Sequence, residues 1–184
     1  MPPLQSCKLA FIGGGNMATA MISGLLSTGI TPSHITVSEP VDTVRSKLAA
    51  LHICTTNSNV IATAEADIVV IAVKPQVAHT VCAELASAWA KRSAFPTVLS
   101  IAAGVTLGSL SDWLRTPDNR VAHIVRAMPN TPALVGEGAA GVFASPDVTV
   151  EEKELMGGLL GSVSHATEWV SDEGMLDVVT GLSG

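Results

Sequence analysis

Apolar residues in this chain gather into short unbroken runs separated by longer mixed segments. The clearest run is Asp67-Ile68-Val69-Val70-Ile71-Ala72-Val73. It is rich in β-branched residues and has no polar alternation, which predicts a strand buried on both faces in the middle of a parallel sheet. Thr97-Val98-Leu99-Ser100-Ile101 repeats the pattern, and Leu9-Ala10-Phe11-Ile12 opens the chain with another example. Shorter strands are expected at 35–37, 52–54, 120–126, 137–143 and 167–170. Residues 17–28 place Ala, Met, Ile and Leu on all sides, as a helix packed on a sheet does, and Gly29 ends it. Further helices are expected at 41–51, at 76–91 behind Pro75, at 106–114 and at 172–180. Thr149-Val150-Glu151-Glu152 is a capping-box pattern that opens a helix to about residue 160. Met128-Pro129-Asn130-Thr131-Pro132 is expected to be irregular, because prolines remove donors and restrict the residues before them.

Strands alternating with helices define an α/β protein, with a doubly wound, mainly parallel sheet of the Rossmann type. The junction of the first strand and first helix sharpens this. Ile12-Gly13-Gly14-Gly15-Asn16-Met17-Ala18 places a glycine turn between them, as binding a dinucleotide pyrophosphate requires. Gly13 allows the tight turn, Gly15 lets phosphate approach the backbone, and Ala18 stands in for a third glycine where helix and strand pack closely. The free N–H groups and positive dipole end of the helix beginning near Asn16 then face the phosphates.

Composition narrows the function classes. The 184 residues suffice for one domain with a full core. Net charge is −6 with no basic run, which argues against a nucleic-acid partner. Residues 9–38 hold no Asp, Glu, Lys or Arg, yet the apolar piece 17–26 falls short of the roughly 20 residues that span a bilayer, so no membrane role is expected. Cys7, Cys54 and Cys82 are scattered and fit a reducing, cytoplasmic compartment. The histidines show no metal-ligand spacing, so no metal is expected.

Ligands bind open α/β sheets at the carboxyl ends of strands. Those ends carry small, glycine-bearing or proline-bearing turns and no nucleophile–base pair. Such a bland site suits hydride transfer, which needs two molecules oriented more than an enzymic nucleophile. Glu39 stands where an acid can bind the adenosine ribose hydroxyls and repel a 2′-phosphate, but it fits a helix N-terminal carboxylate equally well. Ser38 and Arg45 can instead serve a 2′-phosphate. Lys74 reads as a loop lysine at a strand end, Asn130 as a turn residue or a ligand, and Glu173 as first-turn helix chemistry. Trp89, Trp113 and Trp169 read as packing. The absence of tyrosine excludes the Tyr–Lys chemistry of short-chain dehydrogenases.

Laid out in order, these blocks resemble the pyrroline-5-carboxylate reductase family over essentially the whole chain. The resemblance rests on Phe11-Ile12-Gly13-Gly14-Gly15-Asn16-Met17, Ala72-Val73-Lys74-Pro75, Ser100-Ile101-Ala102-Ala103-Gly104-Val105, Arg126-Ala127-Met128-Pro129-Asn130-Thr131-Pro132 and Thr180-Gly181-Leu182-Ser183-Gly184. It implies reduced NADP or NAD as cofactor, with Ile12, Gly13, Gly14, Gly15, Asn16 and Met17 on the pyrophosphate. Ser38, Pro40 and Asn57 would meet the adenosine ribose. Ala72, Val73, Lys74 and Pro75 with Ile101, Ala102 and Ala103 would line the path to the nicotinamide. Ala103 and Glu173 match positions near the substrate, and no residue is assigned as catalytic.

The implied reaction is reduction of 1-pyrroline-5-carboxylate to L-proline, by an enzyme that is a homo-oligomer at full length. Family members continue past Gly-Leu-Ser-Gly into a helical domain that dimerises the enzyme and completes the substrate site. The resemblance thus implies a dinucleotide-binding domain at 1–170 and the start of a connection at 171–184. These residues alone are expected to bind cofactor and turn over poorly. Two other readings share the glycine turn: a β-hydroxyacid-type dehydrogenase domain, and a nucleotide-binding regulatory or redox-sensing module.

Overall fold

The structure is a computed structural model that describes residues 3–130 and 138–176. After a 3₁₀ turn at Leu4–Ser6, the elements run β1 (Leu9–Ile12), α1 (Asn16–Ser27), β2 (Ile35–Ser38), α2 (Asp42–Ala49), β3 (Cys54–Thr56) and α3 (Asn59–Thr63). They continue with β4 (Ile68–Ile71), α4 (Pro75–Trp89), β5 (Thr97–Ser100), α5 (Leu107–Trp113), β6 (Ile124–Pro129), β7 (Gly138–Ala144), α6 (Val150–Leu160) and β8 (Ser164–Trp169).

One eight-stranded sheet forms in the order β3-β2-β1-β4-β5-β6-β7-β8. β3 through β6 are parallel, β7 runs antiparallel to β6, and β8 is parallel to β7. The unpolarised apolar runs take the central places. β1, β4 and β5 are buried at every position. Alternate residues serve opposite layers: Leu9 and Phe11 join Met21, Ile22, Leu25 and Leu159 on the α1/α6 side. Ala10 and Ile12 join Cys82, Leu85, Trp89 and Leu110 on the α4/α5 side. A strand with no polar alternation is therefore stable only between two helical layers.

Several boundaries differ from expectation. β3 begins at Cys54 because His52, at φ +63°, turns the chain just before it. The 120–126 segment is a strand only from Ile124, since Thr116 N–H donates to the Arg120 carbonyl and Arg120 N–H to Thr116 Oγ1, which closes a loop. That strand continues to Pro129, into the block expected to be irregular. The proline is tolerated because Asn130 donates to Ala139 on β7, so the nitrogen of Pro129 faces the other side, where β5 has already ended opposite Arg126. β8 starts at Ser164, ahead of the expected 167, paired with β7 across a register shift at Gly138/Ala139. α3 was not signalled by periodicity, being shorter than two turns, although Ser58 caps it by accepting the Ile61 N–H. Thr131, Pro132, Glu137 and residues 177–184 lie outside the described residues, so only 172–176 of the last expected helix are seen, and of these 174–176 are helical. No helix among the described residues is long and apolar enough to cross a membrane.

Candidate dinucleotide site

The strand order reverses at β1 and β4, where one connection leaves toward β2 and the next toward β5. This opens a crevice at their carboxyl ends. The first turn into that crevice is Gly13-Gly14-Gly15, and each glycine has a different reason. Gly13 has φ +98°, and a Cβ there would stand 2.6 Å from the Ala72 carbonyl oxygen. Gly14 is pressed against α2, where a Cβ would meet Leu48 Cδ1 at 2.5 Å. At Gly15 a Cβ would meet no protein atom within 4 Å. The third glycine leaves open a space that the protein does not use. Gly15 is also the N-cap of α1 and offers no side-chain cap, so the first-turn N–H groups point into that space.

Around it lies a cleft of about 450 Å³ lined by Ile12, Gly13, Gly15, Ser38, Glu39, Pro40, Asn57, Asn59, Ala72, Val73, Lys74, Val77 and Val81. Of the residues expected to meet a dinucleotide, the fold brings Ile12, Gly13, Gly15, Ser38, Pro40, Asn57, Ala72, Val73 and Lys74 to this one surface. Gly14 and Asn16 open instead on a neighbouring cavity of about 810 Å³ between α1 and α2. Met17 is half-buried against the α1-side core. Pro75 begins α4, while Ile101, Ala102 and Ala103 follow β5, two strands from β1. Asn59, Val77 and Val81 were missed by sequence reasoning. The Ser58-Asn59 cap signal can find the first, and the last two lie one turn apart on α4, as residues four apart do.

Hydrogen bonds stitch the rim. Gly13 N–H donates to the Ser38 carbonyl at 2.8 Å, Ala72 N–H to Ile12 at 2.9 Å, and Glu39 N–H to Thr56 at 2.9 Å. Glu39 carries its carboxylate back onto the turn: Oε2 accepts the Gly14 N–H at 2.8 Å and Oε1 the Val41 N–H at 2.9 Å. The carboxylate thus serves the start of α2, where Val41 is the N-cap, and it also lines the cleft. Ser38 and Arg45, the alternative pair for a 2′-phosphate, each have protein partners here. Ser38 Oγ donates to Asn59 Oδ1 at 2.7 Å, and Arg45 spends its guanidinium on the Glu39 and Pro40 carbonyls and on Asp42.

A second polar cluster stands at the ends of β5 and β6. Arg126, 4% exposed on β6, pairs with Glu173, whose carboxylate also accepts the Leu107 N–H at the start of α5. Glu173 therefore serves a helix N-terminus, that of α5 rather than its own. Asn130 closes the β6–β7 ladder, its N–H donating to the Ala139 carbonyl and its Oδ1 accepting the Ala139 N–H. Trp89 is buried with its indole N–H on Thr63, Trp113 packs on His79, and Trp169 lies under Lys153. Among the described residues no group of three or more His, Cys, Asp or Glu is placed to hold a metal ion.

Residues 8–104 match the family described as NADP oxidoreductase, coenzyme F420-dependent, and the chain belongs to that family. Its relatives narrow the likeness. The chain is 42% identical to the pyrroline-5-carboxylate reductase of Pseudomonas aeruginosa over 98% of its own length. It spans 64% of the length of that relative. Among solved structures, it matches a pyrroline-5-carboxylate reductase from Coxiella burnetii with TM-score 0.89 and 35% identity, over 97% of this chain and 64% of that one. The Plasmodium falciparum pyrroline carboxylate reductase, solved with NADP bound, matches with TM-score 0.79 and 26% identity, over 98% of this chain and 63% of that one.

Proposed function

We propose that this chain is the cofactor-binding part of an NAD(P)H-dependent reductase that converts 1-pyrroline-5-carboxylate to L-proline. The observation that carries the reading is the open space over Gly15, walled by the ends of β1, β2 and β4. A dinucleotide fits that donor set. Gly15 and the α1 N-terminus would take the pyrophosphate, while Ser38, Pro40 and Asn57 would flank the adenosine ribose. Ala72, Val73, Lys74 and Pro75, followed by Ile101, Ala102 and Ala103, would line the way to the nicotinamide. When bound, the reduced cofactor supplies a hydride to the imine carbon.

The chain's own residues bind and orient. Ala72 and Val73 after β4 and Ile101 and Ala102 after β5 would offer the cofactor small or apolar side chains, and Arg126 with the Leu107 N–H holds the carboxylate of Glu173 at the start of α5. A protonated cyclic imine is already electrophilic, so holding it in place does much of the work. In this reading 1–170 form the dinucleotide-binding domain and 171–184 the connection that follows. The protein works in the cytoplasm as a homo-oligomer, on a small-molecule substrate and without nucleic acid.

Titration with NADH and NADPH, followed by nicotinamide fluorescence with and without proline, tests the reading. Enhanced fluorescence with either cofactor is expected. Failure of both to bind would overturn it, and pyrroline-dependent loss of NAD(P)H would exclude a sensor without chemistry.

A further inference from the structure

The end of β2 bears on which dinucleotide enters. Glu39 is 9% exposed and lines the cleft, and no lysine, arginine or histidine among the described residues pairs with its carboxylate. Its two backbone donors, Gly14 and Val41, occupy one acceptor direction on each oxygen. An ionised carboxylate has about four such directions, so each oxygen can still accept a hydroxyl.

The groups that would welcome a phosphate are committed elsewhere. Arg45 is held by two carbonyls and neutralised by Asp42. Ser38 gives its hydroxyl proton to Asn59, and Asn59 in turn donates to Glu84 Oε2 at 2.7 Å. Among the described residues Lys74 is the one cation lining the cleft, and it follows β4. With β1 between β2 and β4, it stands two strand spacings from the end of β2, about 10 Å at about 4.8 Å per strand. Lys47 opens on the separate cavity between α1 and α2. The neutral amide of Asn57 remains.

From this arrangement we infer that the site selects NADH over NADPH, and that Glu39 sets the choice by accepting the ribose hydroxyls and repelling a 2′-phosphate. The inference rests on the dinucleotide reading above and deepens it. A phosphomonoester brings about −1.5 to −2 charges at neutral pH, against a buried carboxylate with no counter-ion. The NADP-bound Plasmodium relative shows that its own site accepts the phosphate. In this chain the side chains after β2 oppose it.

The test is a fluorescence titration of the wild-type chain and Glu39→Gln with NADH and NADPH, with melting curves run alongside. Wild type is expected to bind NADH at least tenfold more tightly than NADPH. Glu39→Gln keeps the shape and removes the charge, so the two affinities should converge to within about threefold. As a control independent of any variant, ADP-ribose should displace bound NADH at concentrations where its 2′-phosphorylated analogue does not. NADPH binding equal to or tighter than NADH, or an unchanged ratio in a folded Glu39→Gln, overturns the role of Glu39 and leaves the dinucleotide site standing. If neither nucleotide binds and ADP-ribose gives no melting shift, both readings fall.

Discussion

Valine at Gly15 separates the folding role of the glycine turn from its binding role. A Cβ at this position meets no protein atom within 4 Å, and the N-cap backbone at φ −66° suits an L side chain. Valine is a poorer N-cap than glycine by about 1 kcal/mol. Loss of a glycine from the unfolded chain returns about 0.4–1 kcal/mol. The net change in stability is then under about 1 kcal/mol, or a Tm shift of roughly 2–4 °C. Binding responds differently, because the side chain occupies the space through which phosphate reaches the backbone. Losing two charge-assisted hydrogen bonds at about 1.5–3 kcal/mol each costs 3 kcal/mol or more. At 1.4 kcal/mol per decade that is at least about a hundredfold in Kd.

Gly13→Ala is the opposite control. It forces a positive φ and a Cβ 2.6 Å from the Ala72 carbonyl oxygen. Strain of about 1–3 kcal/mol then lowers Tm by several degrees. The assays are thermal melting and nicotinamide fluorescence titration on the same preparations. A folded Gly15→Val with unchanged affinity for both cofactors would refute the reasoning, as would a Gly15→Val that unfolds while Gly13→Ala does not.

Two further predictions concern carboxylates held in ion pairs. Burial pushes the Glu152 carboxyl up, but bonds from Thr97 Oγ1, the Thr149 N–H and His123 outweigh it and hold the group below its ordinary value. A depressed carboxyl stabilises the fold at neutral pH and loses that contribution as pH falls through its folded value. Glu152→Gln should therefore cost about 1–3 kcal/mol at pH 7, and less below about pH 4. Melting curves from pH 3 to 7 check this, and a gap that widens in acid would contradict it. Glu173→Ala leaves Arg126 buried without its carboxylate and should cost about 3 kcal/mol, the low end for a broken buried pair, since Glu173 is 28% exposed. Arg126→Met in that background should recover part of the loss in a denaturant titration. Equal stability of wild type and Glu173→Ala would show that the pair contributes nothing.

Which parts were legible in the sequence follows from what each signal depends on. The central strands and the capped helices are local: a β-branched run or a Thr149–Glu152 box carries its own physics wherever it lies. β6 was misread because the tolerance of Pro129 depends on where β5 stops, a fact held by another strand. α3 was passed over because one helical turn and a half has too few positions to show a period. Glu39 and Glu173 were ambiguous for a similar reason. Each can cap a helix or meet a ligand, and only the chain folded around it shows which N–H groups it faces.

By itself the sequence determined an α/β alternation, the burial of its middle strands and a glycine turn able to approach phosphate. Those properties arise from neighbouring residues and their spacing. Tertiary structure decided why each glycine is needed, since Ala72 and Leu48 crowd the first two and nothing crowds the third. It also decided that Arg45 is spent on its own turn and that the Glu39 carboxylate lines the cleft with no cation paired to it among the described residues. Contacts between residues far apart in sequence set both outcomes, and no local pattern encodes them.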